Sequence, residues 1–157
     1  MYRITFTDEV AMTSVTLADA KLFIGITSTD EDTMITRMLY AALKVAEMNT
    51  GNIFGKKTVT ITSSSTDSLY LPGVIDPDKP IVVKVDGREV GYTLMDSTIF
   101  VDAVGVLSVT YGTLESIPQP VQVFILQEVA KMYQRGVEVI VDPDFTLLEK
   151  YKIIPVC

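Results

Sequence analysis

The chain has 157 residues, 48% hydrophobic and 21% charged; these are the proportions of one globular domain large enough to bury its own core, and they argue against a repeat array or a disordered chain. Histidine is absent, which removes the commonest general base, the usual imidazole metal ligand and any Ser-His or Cys-His nucleophile pair. The net charge of -7 argues against gripping a nucleic acid, because phosphate binding needs clustered Lys and Arg.

The single cysteine, Cys157, can form no intrachain bridge and points to a reducing compartment. No stretch approaches about eighteen uninterrupted apolar residues. The start Met1-Tyr2-Arg3-Ile4-Thr5-Phe6 has no long apolar run and no small-residue cleavage site. The expectation is a soluble, non-secreted protein with no membrane partner and no cofactor.

In Thr16-Leu17-Ala18-Asp19 a hydroxyl stands three residues before a carboxylate at the start of an apolar series, close to a capping box. A short helix is expected over about 17-24, closed by Gly25. A second starts at Thr29 or Asp30, with Asp30, Glu31 and Asp32 where the helix dipole favours negative charge. Ile35, Met38, Leu39, Ala42, Leu43 and Ala46 then recur at helical spacing, so a long amphipathic helix should span about 30-50 and end at Gly51.

After Gly51 the period becomes twofold. Val59 and Ile61 alternate with threonines, Ser63 to Ser68 reads as a turn, and Leu69-Tyr70-Leu71 as a short strand before Pro72-Gly73. Ile81 to Val85 and Val90 to Leu94 flank Asp86-Gly87, a hairpin signal. Ile99-Phe100-Val101 and Val106 to Tyr111 complete about six strands, an antiparallel unit over about 57-112 inserted between helices. From Thr58 to Pro118 eight acids face three bases, which makes this the acidic region. Helical period returns at Pro118-Gln119-Pro120, where Val121, Phe124, Ile125, Val129, Met132 and Tyr133 form one stripe over about 118-135, ended by Gly136. Beyond it, at most a helical turn or two is expected around Thr146 to Tyr151.

The fold class is therefore α+β: a helical core of two long packed helices plus a short one, an inserted small antiparallel β unit, and an extended C-terminal tail. Residues 1-136 form the main domain and 137-157 the tail.

Several of these segments, in this order, resemble the siphophage head-tail connector (adaptor or head-completion) family. Thr16-Leu17-Ala18-Asp19-Ala20-Lys21 is similar to that family's TL-x-EAK start, with Asp19 where Glu is usual. Asp30-Glu31-Asp32 is similar to its acidic helix start, and Asn49-Thr50-Gly51 to its E-x-x-TG helix end. Val109-Thr110-Tyr111-Gly112 resembles a V-x-Y-x-x-G strand. Ile117-Pro118 through Ala130-Lys131-Met132-Tyr133-Gln134-Arg135-Gly136 resembles the closing helix, the whole covering about residues 14 to 136. The resemblance implies a non-enzymatic virion protein at the head-tail interface, made in the host bacterial cytoplasm. It implies a homo-oligomeric ring, commonly of twelve subunits, between a portal protein and a tail-terminator or head-closure protein. DNA would pass through its channel without specific binding. Two other readings are a tail-completion or baseplate-type interaction module and a small carboxylate-dependent hydrolase.

Candidate residues follow. Asp30-Glu31-Asp32 could hold a metal, though a helix start stabilises acids without one. Asp142 and Asp144 around Pro143 could be paired catalytic carboxylates, although acids beside proline are ordinary turn chemistry. Ser63 to Ser68 lacks a Gly-x-Ser-x-Gly elbow. Met34, Met38, Met48 and Tyr40 are core or subunit contacts; Arg135 is an inter-subunit candidate or a helix-end cation. Asp76, Asp78, Asp96 and Asp102 are candidate channel-facing acids. In the tail, Val137, Val139, Ile140, Val141, Phe145, Leu148, Tyr151, Ile153 and Ile154 are too apolar for a disordered terminus and are candidates for docking on the portal or a neighbour, with 137-142 as an added strand.

Overall fold

The structure, a computed structural model, describes residues 1-64 and 67-153. It is mixed α and β, with helices and antiparallel sheets, and divides into two compact units. One joins Met1–Ala11 to Gly55–Glu115; the other joins Met12–Phe54 to the described residues from Ser116 onward.

The first unit holds nine strands among its described residues: β1 (Tyr2–Thr7), β2 (Thr58–Ser64), β3 (Ser68–Tyr70), β4 (Val74–Ile75), β5 (Val82–Val85), β6 (Arg88–Glu89), β7 (Thr93–Met95), β8 (Thr98–Phe100) and β9 (Val106–Leu114). The larger sheet runs β1-β2-β9-β5-β6, with β4 also on β9. Register explains its stability. Ile4 lies opposite Ile61, Ile61 opposite Val109, and Val109 opposite Val83, so one apolar row crosses four strands on the core face while Thr60 and Thr110 hydrogen-bond at 3.0 Å on the other. Lys57, only 2% exposed, brings its Nζ to 3.6 Å from Glu9 Oε1 and 4.6 Å from the centre of the Phe6 ring, fixing the end of β1. Tyr111 is buried at the strand centre and donates its hydroxyl to the Pro72 carbonyl at 2.8 Å; burial pushes its phenol up.

Two expectations change here. The opening residues form a strand that the sequence reading did not assign, because β1 is an edge strand whose side chains are mostly exposed. The Asp86-Gly87 hairpin closes in two residues with both at positive φ, 50° and 81°, and its return strand is Arg88–Glu89 rather than Val90 to Leu94. Residues 93-95 instead enter a separate sheet of order β3-β8-β7, whose β7-β8 turn, Asp96-Ser97, also has positive φ at both positions. With Asp8 and Glu9 as well as Arg3, Lys56 and Lys57 joined to it, the strand unit carries ten acids against six bases. The acidity is therefore shared almost evenly with the helical unit.

The second unit contains α1 (Leu17–Ile24), α2 (Asp32–Thr50), α3 (Gln119–Arg135) and a 3-10 helix (Thr146–Tyr151). The capping box forms as the sequence suggests: Asp19 N donates to Thr16 Oγ1 and Thr16 N to Asp19 Oδ2. Gly25, Gly51 and Gly136 all close their helices in the left-handed conformation. α2 and α3 pack together through Ile35, Met38, Ala42, Ala46, Val121, Phe124, Ile125 and Val129; the alanines let the helix axes approach closely.

The core of this unit does not stop at Gly136. Leu148 is fully buried in it, Phe145 stacks on Phe124 at 6.0 Å, Tyr151 meets Phe54 edge-on at 6.4 Å, and Ile153 N donates to the Thr50 carbonyl at 2.7 Å. The 137-142 segment is not a strand. It bends at Glu138 and Val139, and Arg135 donates to the Val141 carbonyl at 2.7 Å.

Candidate assembly surfaces

The sequence motifs resolve into helix ends and turns. Glu47, buried one turn before Gly51, accepts from Phe54 N at 2.9 Å, and Thr50 Oγ1 donates back to the Ala46 carbonyl. The Glu47-Met48-Asn49-Thr50-Gly51 segment is thus a device for turning the chain out of α2. Tyr133 donates to Glu31 Oε2 at 2.5 Å, tying the end of α3 to the start of α2, and that bond holds its phenol above the usual range. Asp32 pairs with Lys21 at 2.8 Å. Among the described residues no group of three or more Cys, Asp and Glu is arranged to hold a metal ion.

The remaining shifted carboxylates are also caps. Asp19 is lowered by its bonds from Thr16, and Asp144 by those from Thr146 N and Oγ1, which open the 3-10 helix. Asp142 sits at positive φ. Asp144, through its bonds from Thr146, is engaged in opening the 3-10 helix, which is the ordinary turn chemistry of an acid beside proline.

The structure separates the expected contact residues into two groups. Met38 is fully buried in its own core, and Met34 packs against that core, whereas Tyr40 and Met48 stand 47% and 81% exposed. A helical stripe in a sequence leaves open which flank a second helix will cover, and α3 covers the Met38 side. In the tail, Leu148 is core, Phe145, Tyr151 and Ile140 pack on it, and Ile153 binds Thr50. Val137, Val139 and Val141 remain exposed, and Ile154 lies outside the described residues. Among the acids, Asp76 is buried and organises a turn: its N donates to the Gly112 carbonyl at 2.9 Å, and its Oδ1 accepts from Asp78 N at 2.9 Å. Asp78, Asp96 and Asp102 are exposed.

Two exposed faces were not singled out from the sequence. On the three-stranded sheet, Leu69 and Ile99 point inward and are buried, whereas Tyr70, Met95 and Phe100 alternate to the other side and are 45%, 60% and 44% exposed. On α1, Leu22 and Phe23 are exposed beside a cleft of about 380 Å³ lined also by Gln122 and Leu126. No described helix is long and apolar enough to cross a membrane.

No family model matches the chain, and no curated protein matches its sequence. Solved structures do match. A chain in the neck of an empty gene transfer agent particle, computed with C6 symmetry, is 13% identical with a TM-score of 0.73, over 99% of this chain and 97% of that one. A chain from the virion of the native gene transfer agent particle is 15% identical with a TM-score of 0.71, over 98% and 97%. One from the neck of the native particle, computed with C12 symmetry, is 13% identical with a TM-score of 0.62, over 95% and 97%. What they share with this chain is its fold. The likeness runs through both compact units and nearly the full length of each partner, so it covers the whole chain rather than one common motif.

Proposed function

We propose that this chain is a structural, non-catalytic subunit of the neck of a phage-like particle. It is one member of a ring, commonly of twelve, that joins portal to tail, completes the head and extends the DNA channel. The observation that carries this reading is end-to-end fold likeness to chains from gene transfer agent necks computed with C6 and C12 symmetry. A twelve-membered ring satisfies both symmetries, and closed rings arise from head-to-tail contacts.

The surface chemistry supports the same reading. The shifted carboxylates cap helices and turns, and the exposed apolar residues form faces suited to protein contact. The net charge of -7 repels passing phosphate, so DNA traverses the channel without being held. Val137, Val139 and Val141 are the part of the tail offered to the portal, while Phe145, Leu148 and Tyr151 anchor it to the subunit. The opposite rim of the ring meets a tail-terminator or head-closure protein.

The test is a symmetry-averaged electron-microscopy map of particles containing this chain. The expected result is a ring of this fold between portal and tail. A ring-free neck, or this fold at a baseplate, overturns the proposal, the latter in favour of an interaction module at the tail tip.

A further inference from the structure

The outward face of the three-stranded sheet and the solvent side of α2 have complementary chemistry. On the sheet, Tyr70, Met95 and Phe100 form an apolar, aromatic surface. Exposed acids stand around it: Asp96 in the β7-β8 turn, Asp102 just after β8 and Asp67 just before β3. No Lys or Arg occurs from Asp67 to Leu71 or from Tyr92 to Val106, so the charge of this face has one sign.

On α2, Arg37, Tyr40, Lys44 and Met48 recur at helical spacing along one side. The Arg37 side chain is 67% exposed, with its guanidinium 3.7 Å from Glu138 Oε1 at the edge of the stripe; Met48 is 81% exposed, and Lys44 Nζ lies 5.2 Å from the centre of the Tyr40 ring, so the stripe joins cations to an aromatic and a methionine. It is about 16 Å long, enough to cross three strands spaced roughly 5 Å apart.

We infer that the α2 stripe of one copy docks on the three-stranded sheet of the next, making the repeating head-to-tail contact of the ring. The inference rests on the ring reading above and names its two surfaces. The occupant is a second copy because each copy carries both halves of the match, cationic and apolar on one side, acidic and apolar on the other. Two different patches in contact give a heterologous interface, which repeats around a ring, whereas a self-complementary patch would stop at a twofold dimer. Complementary charge also fixes register, since like charges brought together are rejected. Asp96 and Asp102 thereby move from the channel wall to the subunit contact.

The experiment uses the full chain in assembling particles. Reversal of the stripe (Arg37→Glu with Lys44→Glu) or of the sheet (Asp96→Lys with Asp102→Lys) is expected to lower the yield of tailed particles roughly tenfold or more. The combined four-site variant restores it to within about twofold, because the attraction is rebuilt with the signs exchanged. As a second measurement, Tyr40→Cys and Met95→Cys are placed together in a Cys157→Ser chain and oxidised in the particle. A ladder of covalently linked copies is expected. A four-site variant no better than its worse parent, together with cross-linking that yields only monomers, overturns the inference. If the parent map still shows a ring, only this interface fails; if no ring is present, the proposed function fails with it.

Discussion

The helical unit and the strand unit solve the same problem in different ways. The helical unit closes on itself: α2 and α3 bury one stripe each, and the segment from Ile140 to Ile153 seals the remaining gap with Phe145, Leu148 and Tyr151. The strand unit builds its larger sheet around β9, flanked by β2 and β5, and leaves the aromatic side of its smaller sheet in solvent. Closed packing resists change, whereas an exposed apolar face waits for a partner. The helical unit thus turns most of its apolar side chains onto its own core, whereas the smaller sheet of the strand unit keeps one apolar face exposed.

Removal of everything after Gly136 tests this contrast most severely. It strips the fully buried Leu148 and the ring stacked on Phe124, so the helical unit should lose cooperative melting by circular dichroism. An unchanged transition would show that the segment is only a docking arm. Leu148→Ala isolates one side chain and is expected to cost about 2–5 kcal/mol, several degrees or more of melting temperature at about 2–4 °C per kcal/mol. Val139→Ala, at an exposed position of the same segment, should stay within about 0.5 kcal/mol while weakening attachment to portal-bearing heads.

In the strand unit, Tyr111→Phe leaves the Pro72 carbonyl without its buried donor and should cost about 1–3 kcal/mol, read by denaturant unfolding. A cost near zero would mean that water enters the site, and the unit would be looser than its packing suggests. Back in the helical unit, Thr16→Ala removes the side-chain half of the capping box and should cost about 0.5–2 kcal/mol.

The smallest effect is one of pH. The folded form of Asp19 has a lowered pKa because Thr16 donates to its carboxylate. Its contribution is therefore complete above the unfolded carboxylate pKa and is lost as pH falls through the folded value. Asp19→Asn should flatten that acid-side loss slightly in a pH series of melting curves. An identical slope in both proteins would remove the carboxylate from the account.

The contrast also explains what could be read from the sequence. All three α-helices were visible because their signals are local: the Thr16-Asp19 pair, the apolar spacing of α2 and α3, and glycines just past each end. β1 was not visible. Its six residues owe their conformation to pairing with β2, nearly sixty positions away, and an edge strand buries too little to leave a clear alternation. The second hairpin was hidden for a different reason, since Asp96-Ser97 closes a tight turn without the expected glycine.

The candidate surfaces divide along the same line. Composition marks the tail as too apolar for a disordered terminus, yet cannot tell that Phe145 and Leu148 face their own subunit while Val139 faces solvent. The Val137-Val139-Val141 alternation suggested a strand, but the chain bends there, with Arg135 holding the Val141 carbonyl. The outward sheet face escaped notice because Tyr70, Met95 and Phe100 come together only when β3, β8 and β7 align.

Neither unit is continuous in the chain: residues 1-11 must find residues 55-115, and residues 12-54 must find those beyond Ser116. During synthesis, β1 leaves the ribosome with no partner and waits for β2, roughly 3–12 s at ordinary elongation rates. α2 waits longer still for α3 and Leu148. A copy interrupted before the last segment is made therefore lacks a finished helical unit. If the proposed ring forms, such a copy would bring to it an α2 without its full packing, so the order of the chain itself would screen truncated copies.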